Sequence, residues 1–101
     1  MPEMTFSIRW PDGRVDNCYS PSLVMHDHLS AGSRYAVWDF VNRSVEALDL
    51  AAERVRASYG FACTSAMATA EHIRAIGARF GPDEPVEVLR MWPALPDQES
   101  A

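Results

Sequence analysis

Lysine is missing from this chain: all nine basic residues are arginine, against fourteen aspartates and glutamates, for a net charge of -5. The arginine-for-lysine bias reads as a mark of genome composition. A strong phosphate-binding surface needs a net cationic face, so nucleic acid is not an expected partner. Long apolar runs are also missing, and nothing approaches the roughly 20 residues that cross a bilayer. The start, MPEMTFSIRWPDG, lacks the cationic and apolar regions of a signal peptide. A cytoplasmic protein without membrane contact is therefore expected. Cysteine is scarce, with Cys18 and Cys63 far apart and no CxxC. Reduced thiols follow from the compartment, and neither metal nor cofactor is expected.

The 101 residues are 48% hydrophobic and 23% charged, an ordinary globular balance that fits one domain. Met4, Phe6, Ile8 and Trp10 alternate with Thr5, Ser7 and Arg9, the period of a strand with one buried face. Pro11-Asp12-Gly13 reads as a hairpin turn, with glycine at the left-handed position. Val15 to Ser20 returns, with Val15, Asn17 and Tyr19 on one face and Asp16 and Cys18 on the other. Pro21 ends that ladder. Leu23 to Met25 reads as extended, which would point His26 and His28 the same way.

After a turn at Ala31-Gly32-Ser33, a long helix is expected from about Asp39, its N-cap. Val41, Val45, Leu48, Ala52, Val55 and Tyr59 form its apolar stripe, and Gly60 ends it. A second helix is expected over residues 65–80, with Met67, Ala70, Ile73, Ile76 or Gly77, and Phe80 buried. Gly81-Pro82-Asp83 stops it, and residues 86–92 form a last strand in which Val86, Val88 and Trp92 share a face. The expected fold is α+β, in the order ββααβ. It has a three-stranded, mostly antiparallel sheet and two helices packed on one face. Residues 1–95 would be the domain and 96–101 a disordered tail. Open sheet edges favour a homodimer.

The stretch CYSPSLVMHDHL, residues 18–29, sets one of the two cysteines, a tyrosine and two of the three histidines around Asp27. A metal needs three or four ligands, and HDH supplies two, so surface histidines are the preferred reading. His72, between Glu71 and Arg74, reads as solvent-facing. Cys63 opens the second helix, where unpaired amides favour a thiolate. No spacing gives it a base, and flanking Phe61 and Ala62 favour a buried structural residue. Trp10, Tyr19, Tyr35, Trp38 and Trp92 read mostly as core or core edge. Arg14, Arg34 and Arg43 are the arginines offered for a carboxylate, although lone arginines are usually solvated.

MPEMTFSIRWPDG, CYSPSLV, YAVWDFVNRSVEAL and ERVRASYGFACTSA together carry a resemblance. Over about residues 1 to 92 the chain resembles the small nitrogen-starvation-response proteins of bacterial and cyanobacterial nitrilase gene clusters. The resemblance implies a setting beside a nitrilase, a radical S-adenosylmethionine protein, an acetyltransferase and a flavin-dependent oxidoreductase. It brings no active site to carry over. The matched phrases hold Cys18, Tyr19, Ser20, Ser22 and Cys63, which become the candidate pocket or partner surface. The expected function is a non-catalytic accessory protein of nitrogen or nitrile metabolism, binding a partner enzyme or a small-molecule intermediate. The alternative is a small enzyme using Cys63 or Cys18 as its thiol.

Overall fold

Strands β1 (Met4–Arg9) and β2 (Val15–Ser20) pair antiparallel through six consecutive partners, from Met4↔Ser20 to Arg9↔Val15. The hairpin closes as its residues dictate. Gly13 takes φ 92, its amide donates to the Trp10 carbonyl at 2.9 Å, and the Asp12 carboxylate accepts from the Arg14 amide at 2.9 Å. The computed structural model describes residues 3–60 and 64–93. Cys63 and the expected tail at 96–101 lie outside the described residues.

The sheet has four strands rather than three, in the order β2-β1-β4-β3. The added strand β3 (Arg34–Ala36) is three residues long and pairs antiparallel with β4 (Pro85–Trp92). The element order is thus βββααβ, not ββααβ. Backbone bonds from the preceding turn lead β3 into place: the Gly32 amide donates to the Val88 carbonyl at 2.7 Å, and Val88 donates to Ser33 at 2.9 Å. Residues Leu23–Asp27 form a 3-10 turn rather than an extended segment, because the Ser22 side chain caps the Val24 amide at 3.3 Å.

A register shift between Ser7 and Ile8 breaks the alternation of β4. Val86 and Val88 are buried as expected, but one extra residue then turns Met91 inward and leaves Trp92 40% exposed.

Helix α1 (Val37–Tyr59) starts directly from β3, without a side-chain cap; Asp39 sits in its first turn, where a carboxylate favours the positive end of the helix. Gly60 ends it at φ 79, donating to the Arg56 carbonyl at 2.7 Å. The face it buries holds Val37, Phe40, Ser44, Ala47, Leu48, Ala51 and Val55, rotated from the expected stripe; Tyr59 is exposed. Helix α2 (Thr64–Gly77) stops short of Phe80 and buries Ala66, Ala70, Ile73 and Ile76, with Met67 in solvent. Small residues bring the helices close: a Cβ built on Gly77 would lie 2.7 Å from Val41 Cγ2.

Both helices cover the sheet face that carries Met4, Phe6, Ile8, Cys18, Val86 and Val88. Trp10 closes one end of this core, edge-on to Phe40 at 5.6 Å and stacked on Phe80 at 5.9 Å. The molecule measures 37 × 35 × 17 Å, the thickness of one sheet and one helix layer. The second sheet face has no layer over it among the described residues.

Candidate functional site

Alternation along β2 divides the stretch 18–22 between two sides of the sheet. Cys18, opposite Phe6, points under the helices and is 3% exposed. Burial, and then the Asp16 charge, push its thiol from 9.0 up to about 12. Tyr19 lies on the uncovered face, where its hydroxyl donates to Glu3 at 3.1 Å. Ser20 and Ser22 are buried and structural. Ser20 Oγ donates to the Ser22 carbonyl at 2.8 Å, and Ser22 Oγ accepts from Val24 N and Arg54 Nη1, both at 3.3 Å. The stretch is therefore a strand end and a capped corner, and only Tyr19 joins the open surface.

The 3-10 turn also separates the histidines. His26 Nε2 lies 3.0 Å from the Pro93 carbonyl, while His28 Nδ1 lies 3.4 Å from the Val24 carbonyl. No group of three or more histidine, cysteine, aspartate or glutamate side chains is placed to hold a metal among the described residues. His72 is half exposed but not solitary: its Nε2 is 2.6 Å from Asp16 Oδ2, which also accepts from the buried Trp10 Nε1 at 3.2 Å. Sequence reading missed this link, because 56 residues separate Asp16 from His72. It ties α2 to β2 and holds the Trp10 ring.

The uncovered face reads in three cross-strand rows: Tyr19–Thr5–Trp92, Asn17–Ser7–Arg90, and Val15–Arg9–Glu87–Arg34. Ser7 donates to Asn17 within the middle row. The Arg90 guanidinium stacks over Trp92, 4.9 Å from the ring centroid. Arg9 Nη1 meets Glu87 Oε1 at 3.1 Å, an exposed pair. Beside it a cleft of about 300 Å³ is lined by Arg9, Trp10, Pro11, Gly13, Arg34, Pro85 and Glu87. Of the three arginines offered for a carboxylate, Arg34 stands in this cleft. Arg43 is occupied elsewhere, over the Tyr35 ring at 5.0 Å and bonded to Asp39 at 3.0 Å and the His28 carbonyl at 3.2 Å. Arg9 falls on the polar side of the β1 alternation and Arg90 carries no sequence signal of its own; the pairing register puts both on one face.

On the helix layer, Val37, Trp38, Val41, Asn42, Arg74, Gly77, Ala78, Phe80 and Pro82 line an apolar groove of about 300 Å³. Trp38, expected at the core edge, is 52% exposed there. No described helix is long and apolar enough to cross a membrane.

No curated protein and no solved structure matches the chain. A family model described as nitrogen starvation-induced protein NitG matches residues 5–91, from the second residue of β1 to the penultimate residue of β4. Apart from the end residues Met4 and Trp92, that span takes in every helix and strand described above, and the chain belongs to the nitrogen starvation-induced protein NitG family.

Proposed function

We propose that the chain is a non-catalytic accessory protein of nitrogen or nitrile metabolism that binds a partner enzyme of a nitrilase gene cluster. The observation that carries this reading is the uncovered sheet face. Exposed Trp92, half-buried Tyr19 and exposed Arg90 stand together on it. Tryptophan, tyrosine and arginine are the residue types over-represented at the energetic centres of protein interfaces. Cys18, by contrast, is buried with its thiol held protonated, which favours binding over thiol catalysis at that residue. The apolar groove beside Trp38 supports a second reading, in which a small apolar intermediate is the ligand. Self-association fits the same frame: β2 is an edge strand of six residues, long enough to pair with a second copy.

The test mixes the purified chain in turn with the nitrilase, the radical S-adenosylmethionine protein, the acetyltransferase and the flavin-dependent oxidoreductase of such a cluster. Sedimentation velocity at about 10 µM detects any complex of micromolar affinity. A complex with one of them is expected. Sedimentation of all four mixtures as separate species would refute the reading. The chain alone at the same concentration is expected to sediment as a dimer.

A further inference from the structure

We propose that the uncovered sheet face docks an acidic, extended segment of the partner protein; this rests on the accessory reading above and names its surface and its chemistry. The chain as a whole carries a charge of -5. This face reverses the sign: Arg9, Arg34 and Arg90 occupy its rows, against Glu87 set among them and Glu3 held by Tyr19 at the far side. Glu87 lies across from Arg9 on one neighbouring strand and from Arg34 on the other. A single carboxylate therefore sits between two guanidinium groups, and only the Arg9 pairing is a salt bridge. Arg34 is exposed at the wall of the cleft, where an incoming carboxylate reaches it without displacing a partner among the described residues.

Arg90 and Trp92 form the second contact point. The guanidinium lies over the indole, so it is held in place before anything binds and loses less freedom on pairing with an anion. From Glu87 to Trp92 along β4 is about 17 Å at the rise of a strand, the length of five or so extended residues. An extended segment lying along β4 thus sets one acidic residue into the Arg9–Arg34 cleft and another against Arg90, with an apolar side chain on Trp92. Nucleic acid fits less well. A phosphate backbone needs more cationic side chains than this face offers, and the chain's overall charge repels it.

The experiment titrates the isotopically labelled full chain with a short peptide of alternating glutamate and serine, and follows backbone and side-chain resonances. In parallel it uses the peptide with lysine for glutamate, and a short single-stranded oligouridylate. Shifts of Arg34, Arg90 and Trp92 are expected with the acidic peptide alone, weakening as salt is raised. The variant carrying Arg9→Gln, Arg34→Gln and Arg90→Gln should bind about tenfold more weakly, three exposed ion pairs of about twofold each. Glu87→Gln should bind about twofold more tightly, because it removes the competing carboxylate. The three arginines are exposed and Glu87 is half-buried, and an unchanged thermal midpoint verifies that both variants fold. The proposal is overturned if the shifts map to the helix layer, or if the triple variant binds as the wild type does. Tighter binding of the oligouridylate also overturns it. So does binding that requires removal of residues 94–101, whose Asp97 and Glu99 would then be the natural occupant. A cluster enzyme that docks on the helices defeats the proposal and leaves the accessory reading intact. Acidic-peptide binding on the sheet, with no cluster enzyme bound, supports the surface and removes the assigned partner.

Discussion

Cys18 should be chemically silent in the folded protein, and the structure says by how much. At pH 8 a thiol with the ordinary value of 9.0 is about 10% thiolate, whereas one held at about 12 is about 0.01%. The thiolate is the nucleophile, so alkylation slows about 1000-fold from ionisation alone, before the cost of opening the core to the reagent. The assay is iodoacetamide labelling at pH 8 followed by peptide-resolved mass spectrometry, which reads Cys18 separately from Cys63. Urea-unfolded protein provides the reference rate. The same shift has a stability consequence of definite sign. The unfolded thiol ionises near 9.0 and the native one near 12, so the unfolded chain loses its proton first as pH rises. Stability from this group is fully present below 9.0 and is lost between 9.0 and about 12, at about 1.4 kcal/mol per pH unit. Cys18→Ala removes that alkaline slope while costing about 1–2 kcal/mol at neutral pH for the void it leaves. Native labelling of Cys18 within tenfold of the unfolded rate would refute the burial argument. An unchanged alkaline slope in Cys18→Ala would refute the linkage.

Further substitutions probe the packing that holds the two faces apart. Gly77→Ala sets a methyl 2.7 Å from Val41 Cγ2, on a β-branched side chain with little rotamer freedom in a helix. Urea denaturation should show a net loss of about 1–2 kcal/mol despite the better helix propensity, largely recovered in Gly77→Ala/Val41→Ala. Asp16→Ala leaves the buried Trp10 indole without its acceptor, and should cost about 1–2 kcal/mol with a change in tryptophan emission. His72→Ala should cost less than about 1 kcal/mol, because its side chain is 48% exposed. Ser44 Oγ is buried with no hydrogen-bond partner among the described residues. Ser44→Ala should therefore raise the urea midpoint, by up to about 1 kcal/mol of stability.

The hairpin, the two helices and the stop at Gly60 were legible because each rests on local chemistry: alternation, a turn triplet, a left-handed cap. The missed features are those that a partner strand or helix decides. Arg34–Ala36 is too short to show a period, and it is a strand because Val88 and Glu84 offer backbone partners to Gly32, Ser33 and Val37 on either side of it. The bulge opposite Ser7 and Ile8 left no mark in residues 86–92, yet it exchanged Met91 for Trp92 on the buried face. On α1, Val41 and Val45 are as apolar as Phe40 and Leu48, and polar Ser44 hid the face that packs deepest. The candidate site shows the same division. Cys18 and Tyr19 are neighbours in sequence and sit on opposite faces, whereas Arg9, Arg34 and Arg90 are distant and share one face across three strands.

Two exposed tryptophans on opposite layers allow a direct test of docking through the sheet. Trp92 is 40% exposed on the uncovered face, and Trp38 is 52% exposed on the helix layer. Hydroxyl-radical footprinting of the chain, alone and saturated with the cluster enzyme that binds it, reads both side chains in one sample. Docking through the sheet predicts that oxidation of Trp92 falls sharply while Trp38, and Met67 on α2, oxidise as in the free chain. Protection of Trp38 with Trp92 unchanged would contradict it.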